Sequence, residues 1–228
     1  MKIIIFGLRD FAELAKFYFE NDSKYNKDTA VVGFTVNKEY LTPEVIFEAK
    51  QRLQTDSIVP FEELEKFYPP DEYYLFAPMS GKRMNKDREK IYLEGKARGY
   101  KFASYVSSRA TVLTQKIGEN CFIQEDNTIQ PFVKIGNNVV IWSGCHVGHH
   151  STIEDHVFFT SHVVLSGHCL VKKYCWLGVN STIRDSATLE EGTLIAMSAC
   201  LTKSSEAWSV YTGIPAKKIE NKSSIDAI

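Results

Sequence analysis

Residues 135–158 read IGNNVV, IWSGCH, VGHHST and IEDHVF, four consecutive blocks of six that each begin with isoleucine or valine. The phase continues on both sides without insertion, because every sixth residue from Ile117 to Leu201 is a branched or aromatic apolar residue. The fifth residue of each hexad is small or β-branched everywhere except at Asn127. A helix cannot accommodate a strict period of six, and a half-exposed sheet would alternate every two residues. The period therefore predicts a parallel β-solenoid over about residues 112–202, whose core takes one large and one small side chain from each hexad.

Glycine and cysteine also recur at fixed positions of the hexads. Glycine occupies several second positions, where we expect turns with positive φ: Gly118, Gly136, Gly148 and Gly178. Four of the five cysteines occupy fifth positions: Cys121, Cys145, Cys169 and Cys175. Their spacing is not that of a disulfide framework. We therefore interpret these four as compact core residues and not as nucleophiles or metal ligands.

Residues 1–106 follow a different pattern, in which strands and helices alternate. Strands are predicted at 2–6, 30–35, 73–77 and 101–105, and helices at 10–19, 61–67 and 85–98, with Asp10 as the N-cap of the first helix. This alternation is typical of a small parallel, Rossmann-like three-layer unit. We therefore predict an α/β domain over residues 1–106 and an all-β solenoid with a C-terminal tail over residues 107–228.

The composition excludes several classes of partner. The 228 residues carry 27 Lys and Arg against 28 Asp and Glu, which gives a net charge of −1. No field of one sign draws such a chain to nucleic acid or to an anionic membrane. No apolar run approaches the roughly 18 residues of a membrane span, and the apolar opening at Lys2–Phe6 is too short for a secretory signal. We expect a cytoplasmic protein with no nucleic-acid partner.

Together with residues 142–151 and the Gly-Ile-Pro-Ala-Lys tail at 213–217, the hexads resemble the hexapeptide-repeat acyltransferases that fold as a left-handed parallel β-helix. The resemblance is narrower to the branch with a small N-terminal α/β domain, which acylates nucleotide-linked amino sugars or sialic acid. It implies three hexads per coil, acetyl-CoA as co-substrate, no metal, and a homotrimer with active sites between the subunits.

Histidine supplies the candidate base, since its pKa lies near neutrality. All six histidines lie between residues 146 and 168. The resembled family places its base at the third position of a hexad, which here is His149, with His150 as the second candidate. The family follows its base with an acidic residue, whereas His150 follows here, so Asp155 or Glu154, of the same chain or of another subunit, could orient the ring. The remaining fourth-position histidines are interpreted as structural: His156, His162 and His168.

The resemblance also implies where the substrates bind. The pantetheine arm would pass Gly167, Val179 and Ala196, with a turn amide near Gly167 stabilising the oxyanion. The adenine end would reach Lys203 and three residues of the tail: Ile214, Pro215 and Lys217. The acceptor would bind at the carboxyl ends of the N-terminal strands: Gly7, Leu8, Arg9, Asn37 and Lys82. The first of these turns holds one glycine and therefore lacks the GxGxxG pattern of a dinucleotide site.

The predicted function is acetyl-CoA-dependent N-acetylation of an amino group on a nucleotide-linked deoxy sugar, for surface-polysaccharide synthesis. O-acetylation of a sugar hydroxyl, as in the sialic acid enzymes, remains open because the same base serves both nucleophiles. A trimeric zinc enzyme of the carbonic-anhydrase kind and a non-catalytic scaffold are the alternatives from other classes. The sequence leaves the sugar, the nucleotide and the acyl chain length open.

Overall fold

The N-terminal half of the chain is a parallel sheet with helices on its faces, in a computed structural model that describes all 228 residues. Its strands are β1 (Lys2–Phe6), β2 (Ala30–Val36), β3 (Ile58–Pro60), β4 (Tyr74–Phe76) and β5 (Lys101–Phe102). They pair in the order β3-β2-β1-β4-β5, and every pair is parallel. The side chains of Ile3, Ile4 and Ile5 are fully buried, as expected for a strand that is covered on both faces. This confirms the predicted α/β unit.

Four α-helices connect these strands: α1 (Asp10–Asn21), α2 (Pro43–Leu53), α3 (Leu64–Phe67) and α4 (Lys86–Ala97). Short 3₁₀ turns occur at Lys38–Tyr40, Phe61–Glu63 and Ser224–Asp226. The prediction of Asp10 as N-cap is wrong, because Arg9 is the extended residue that precedes the helix. The sequence analysis also missed α2, although its start carries a clear signal. Thr42 accepts a hydrogen bond from the Val45 amide at 3.3 Å, and Pro43 occupies the first helical turn.

The C-terminal half is a left-handed parallel β-helix with three faces. The domain face contains Tyr105–Val106, Phe122–Ile123, Val140–Ile141, Phe158–Phe159, Trp176–Leu177, Leu194–Ile195, Ser209–Thr212 and Lys217–Ser223. The His146 face contains Thr111–Val112, Thr128–Ile129, His146–Val147, Val164–Leu165, Thr182–Ile183 and Cys200–Leu201. The Lys134 face contains Lys134–Ile135, Thr152–Ile153, Leu170–Val171 and Thr188–Leu189. Partners such as Val140 and Phe158 lie eighteen residues apart, so three hexads complete one coil.

The interior of the solenoid is filled as the hexads predict. Every first position from Ile123 to Leu201 is buried, and every fifth position from Cys121 to Ala199 is buried as well. The cysteines at fifth positions lie in this core, whereas Cys200 is half-buried. Asn127, the one fifth-position residue that is neither small nor β-branched, is satisfied at its corner: it donates to the Gln124 carbonyl and accepts from the Cys145 amide, both at 2.8 Å.

The corners between the faces correct one prediction. Positive φ occurs at fourth positions, for example at His150 (60°) and His156 (63°), and not at the second-position glycines. Those glycines serve close packing between coils instead. A β-carbon on Gly148 would lie 2.5 Å from the backbone nitrogen of Gly167 in the next coil. A side chain is therefore excluded by sterics and not by the local backbone conformation.

The α/β unit covers the domain face of the solenoid. The outward side chains of Phe122, Val140 and Phe158 are buried in one cluster with α1. Phe11 of α1 meets Trp142 edge-to-face, with 5.7 Å between the ring centroids. The predicted strand over residues 101–105 is split, because Tyr105–Val106 pairs with the solenoid strand Phe122–Ile123. The domain boundary after residue 106 stays a prediction.

Helix α4 covers one corner, which we call the His156 corner, between the Lys134 face and the domain face (residues 118–121, 136–139, 154–157, 172–175 and 190–193). Arg88 of α4 is fully buried there and donates to the Val157 carbonyl at 3.3 Å. Tyr174 donates to the Glu89 carboxylate at 2.6 Å. Helix α1 reaches the corner between the domain face and the His146 face, where Tyr18 donates to the Glu125 carboxylate at 2.8 Å. The corner between the His146 face and the Lys134 face, and those two faces, lie away from the N-terminal unit. None of the helices combines the length and apolar character that crossing a membrane requires.

Candidate active site

Three histidines converge at the corner between the His146 face and the Lys134 face, which we call the His149 corner (residues 130–133, 148–151, 166–169, 184–187 and 202–205). His150 and His168 stack one coil apart, with 4.9 Å between centroids and 13° between planes. His149 meets the His168 ring edge-on at 5.0 Å. All three side chains are exposed. His150 and His168 stand eighteen residues apart, at the same place in successive coils, so their stacking follows from the period of the repeat, whereas the approach of His149 to His168 does not.

Gly167 provides the seat for the His149 ring. The two residues occupy third positions in successive coils, so the ring reaches along the corner onto the glycine. A β-carbon at 167 would lie 2.9 Å from Cε1 and 3.0 Å from Nε2 of His149. The ring in this position therefore depends on the missing side chain. The structure thus brings together His149 and Gly167, two of the residues that the sequence analysis selected.

His150 is the hydrogen-bond partner of the candidate base. The Nδ1 atoms of His149 and His150 lie 3.1 Å apart, so one ring donates and the other accepts. The backbone amide of His149 donates to Gln130 Oε1 at 2.9 Å, which fixes the start of the turn. If His149 donates from Nδ1, its Nε2 keeps a lone pair that can accept a proton.

Neither carboxylate considered for this role lies at the His149 corner of the same chain. Asp155 Oδ1 accepts from the Asn137 amide at 2.7 Å, and Glu154 Oε2 accepts from the Lys173 amide at 3.1 Å. All four residues belong to the His156 corner. Within one chain, His149 is therefore oriented by an imidazole and not by a carboxylate.

The other histidines are distributed around the solenoid. His156 is buried under α4, with 4% of its surface exposed. Burial lowers its pKa to about 4, and this effect outweighs the opposing effect of the nearby Glu89 carboxylate. His162 is exposed at the corner between the domain face and the His146 face, and His146 is half-buried on the His146 face. None of the six histidines therefore occupies a core-facing first or fifth position of a hexad.

The residues predicted to bind the coenzyme flank the His146 face on both sides. Gly167 and Lys203 lie at the His149 corner. Val179 and Ala196 lie at the third corner, between the domain face and the His146 face, which we call the Val179 corner (residues 124–127, 142–145, 160–163, 178–181 and 196–199). One chain therefore does not enclose these residues in a single groove.

The C-terminal tail closes the top of the same face. The Cys200 amide donates to the Gly213 carbonyl at 3.0 Å, and the Ala216 amide donates to the Cys200 carbonyl at 2.7 Å. Between these bonds lies the cis peptide Ile214–Pro215, and Ile214 is 77% exposed. The tail residues selected from the sequence, including the exposed Lys217, therefore border the His146 face above Cys200.

The predicted acceptor residues share one edge of the N-terminal sheet, because β2, β1 and β4 are adjacent and parallel. They are Gly7, Leu8, Arg9, Asn37 and Lys82. Arg9 and Lys82 are exposed, whereas Leu8 is buried. The Asn37 amide donates to Glu62 Oε1 at 3.3 Å, so this side chain already has a partner. The role of the five residues in binding an acceptor stays a prediction.

The loop after β4 contacts the solenoid, which the sequence analysis did not foresee. Met84 is fully buried against Leu194, and Asn85 donates to the Tyr174 carbonyl at 3.2 Å. A second unforeseen residue is Phe132, which is 67% exposed and lies 4.6 Å from the His150 ring, centroid to centroid. Phe132 and His150 border an open cavity of about 430 Å³. The signal for Phe132 was in the sequence, since it stands eighteen residues before His150.

Comparison with known proteins identifies the repeats and the architecture. The family described as "Bacterial transferase hexapeptide (six repeats)" matches residues 116–148 and 133–167. A variant of perosamine N-acetyltransferase from Caulobacter crescentus, in complex with CoA and GDP-perosamine, has a TM-score of 0.80 at 15% identity, covering 97% of this chain and 98% of that chain. The acetyltransferase domain of PglB from Neisseria gonorrhoeae has a TM-score of 0.76 at 15% identity, covering 96% and 99%. It has also been solved with acetyl coenzyme A.

WeeI from Acinetobacter baumannii has a TM-score of 0.77 at 17% identity, covering 96% of this chain and all of that chain (100%). These likenesses extend over both halves of the chain and not over the repeats alone. Residues 116–167 are thus hexapeptide repeats of the bacterial transferase type, in a chain with the complete α/β-plus-left-handed-β-helix fold of these acetyltransferases.

Proposed function

We propose that this chain is an acetyl-CoA-dependent N-acetyltransferase that acts on an amino group of a nucleotide-linked sugar. The fold supports this proposal, because it matches sugar acetyltransferase structures along nearly the whole chain, one of them holding CoA and GDP-perosamine. We place the reaction in the cytoplasm, in the synthesis of a surface polysaccharide. The single observation that carries the mechanism is the exposed His149 ring seated on Gly167 and hydrogen-bonded to His150.

His149 acts as the general base in this proposal. The amine attacks the thioester carbonyl, and Nε2 of His149 takes the proton that the amine loses as the C–N bond forms. The C–S bond then breaks, and the same imidazolium returns the proton to the CoA thiolate. His150 holds the tautomer by accepting from Nδ1 of His149. A backbone amide near Gly167 stabilises the oxyanion.

The site needs a second copy of the chain. The His149 corner lies opposite the domain face of the triangular solenoid, whereas the predicted acceptor residues belong to the unit that covers the domain face. Base and acceptor therefore meet only if the N-terminal unit of one chain faces the His149 corner of another. The predicted coenzyme residues, which flank the His146 face, would likewise line one groove between two solenoids. This geometry supports a homotrimer with its active sites between subunits.

The test is acetyl transfer from acetyl-CoA to a panel of UDP-, dTDP- and GDP-linked amino sugars, followed as release of free CoA thiol. We expect turnover with at least one amino sugar and none with its analogue that carries a hydroxyl in place of the amine. Turnover with the hydroxyl analogue alone would make the enzyme an O-acetyltransferase. No thiol release with any acceptor, from protein that binds acetyl-CoA, would contradict the proposal.

The base is tested with a matched pair of variants. His149→Asn is expected to lower kcat by roughly 10²–10⁴, the usual contribution of a general base, while its Kd for acetyl-CoA stays within about twofold. Gln51→Asn, an exposed side chain on α2 that is none of the predicted binding residues, should keep wild-type kcat. Wild-type kcat in His149→Asn would remove His149 from the mechanism.

A further inference from the structure

The three imidazoles at the His149 corner form a ligand set that the acetyl-transfer mechanism does not require. One ring nitrogen from each of His149, His150 and His168 lies within 4.8 Å of the others. No other group of three or more His, Cys, Asp or Glu side chains in the chain meets that spacing. None of the three rings forms an ion pair with a carboxylate, since the one histidine in such a pair is His156. The cluster is therefore free of carboxylates, exposed and rich in nitrogen donors.

This geometry is close to that of a three-histidine metal centre. Zinc binds imidazole nitrogens at about 2.0–2.1 Å, so tetrahedral ligands lie about 3.3 Å apart. The Nδ1 atoms of His149 and His150 already lie 3.1 Å apart. His168 must turn its ring out of the stack with His150, and its exposure makes that rotation inexpensive. The fourth position would open onto the cleft beside the corner and hold water.

The donor type selects the class of ion. Neutral imidazole suits Zn²⁺, Cu²⁺ and Ni²⁺, whereas Mg²⁺ and Ca²⁺ prefer oxygen ligands, and no carboxylate belongs to the cluster. The two coils that supply the ligands are fixed by the core, with Val147 and Leu165 paired in adjacent strands of the His146 face. The backbone therefore holds the three residues at one place whether or not an ion is bound.

We propose that His149, His150 and His168 of one chain bind a single divalent transition-metal ion, and that this ion inhibits acetyl transfer. The inhibition rests on the proposed function, because an ion bound to Nδ1 of His149 leaves the proton of the ring on Nε2, the atom that must accept a proton from the amine. The metal site itself stands on the geometry alone. Such an ion would be a reversible inhibitor that a chelator removes.

Binding is tested on metal-stripped protein by equilibrium dialysis against Zn²⁺ and by the visible spectrum of Co²⁺. We expect one ion per chain and the absorption bands of tetrahedral Co²⁺. His168→Asn should weaken Zn²⁺ binding roughly tenfold or more, whereas His162→Asn, also at a fourth position with positive φ, should bind like wild type. Circular dichroism of each variant checks that the fold is kept. Absence of stoichiometric binding, or equal binding by His168→Asn, would overturn the site.

Inhibition is tested separately with the acceptor found in the thiol-release panel. Zn²⁺ should abolish wild-type turnover and EDTA should restore it. His168→Asn should need at least about tenfold more Zn²⁺ for the same loss, relative to its own metal-free rate. Stoichiometric Zn²⁺ binding without loss of turnover would refute the inhibition. If no acceptor is turned over, the proposed function fails and the dialysis result still decides the metal site.

Discussion

His156, which is buried beneath α4, should make the protein less stable in acid, and replacing it should remove that part of the loss in the free energy of unfolding. His156 stacks on Tyr174, with 5.5 Å between ring centroids and 10° between planes. Its Nδ1 accepts from the Asn138 amide group at 2.8 Å, and its Nε2 lies 3.5 Å from Glu89 Oε1. Burial lowers the pKa of His156 to about 4 from an ordinary value of 6.5. The folded protein therefore keeps this ring neutral at pH values where the unfolded chain protonates it.

The sign and size of the effect follow from proton linkage. Between pH 6.5 and pH 4 the unfolded state binds more protons at His156, so stability falls as the pH falls. The slope of about 1.4 kcal/mol per pH unit applies only below the ordinary pKa of 6.5, so lowering the pH from about 7.5 to about 4.5 costs roughly 2–3 kcal/mol at this residue. Other groups titrate over the same range, and Glu89 in particular has a lowered pKa, so wild type alone does not isolate the effect.

The assay compares free energies of unfolding from urea titrations at about pH 7.5 and about pH 4.5. We expect His156→Asn to be less stable than wild type at the higher pH, because it loses the stacking, but to lose roughly 2–3 kcal/mol less on acidification. Asparagine tolerates the positive φ of this position. His162→Asn, with the same hexad position and similar φ but an exposed side chain, should keep the pH dependence of wild type. Equal acid losses in wild type and His156→Asn would refute the reasoning.

Two further predictions concern the solenoid core. Gly148→Ala should lower the free energy of unfolding, measured in urea, by about 1–3 kcal/mol, because its β-carbon would lie 2.5 Å from the backbone of the next coil. The control Ser166→Ala, also at a second position, should change this free energy by less than about 0.5 kcal/mol. An unchanged free energy of unfolding in Gly148→Ala would mean that the coils can separate without cost. Ellman's reagent should titrate at most one thiol per native chain, the half-buried Cys200, and all five in denaturant, since burial raises the pKa of Cys175 to about 12 and encloses the other core thiols. Several fast-reacting thiols in the native protein would contradict the assignment of these cysteines to the core.

The solenoid could be predicted from the sequence because its rule is local and repeated. Each hexad places one large and one small residue inward, and burial of every such residue from Cys121 to Leu201 follows from that period alone. The helix α2 escaped prediction for the opposite reason. It buries only Ala49 and Leu53, and Phe47 is 64% exposed, so its apolar residues do not all mark the buried face even though Thr42 and Pro43 mark its start.

The second-position glycines show that the conformational preference of a residue type does not always predict its role in the fold. Glycine at Gly148 was expected to provide positive φ, yet its role depends on an atom of the next coil, eighteen or more residues away. The backbone instead takes positive φ at residues such as His150 and Tyr174, because the solenoid imposes the same corner on every hexad. Tertiary stacking overrides the residue preference at these positions.

The candidate site was only partly predictable for a related reason. His150 and His156 occupy the same hexad position and have nearly the same backbone conformation, yet one is exposed and the other is 4% exposed. The difference lies outside the repeat, because the N-terminal unit places α4 over the His156 corner and leaves the His149 corner open. Because α4 packs on the His156 corner, His156 is buried and has a structural role. The same packing leaves His149, His150 and His168 accessible to a substrate, a second chain or a metal ion, which is why the N-terminal unit determines the chemistry that the repeats can perform.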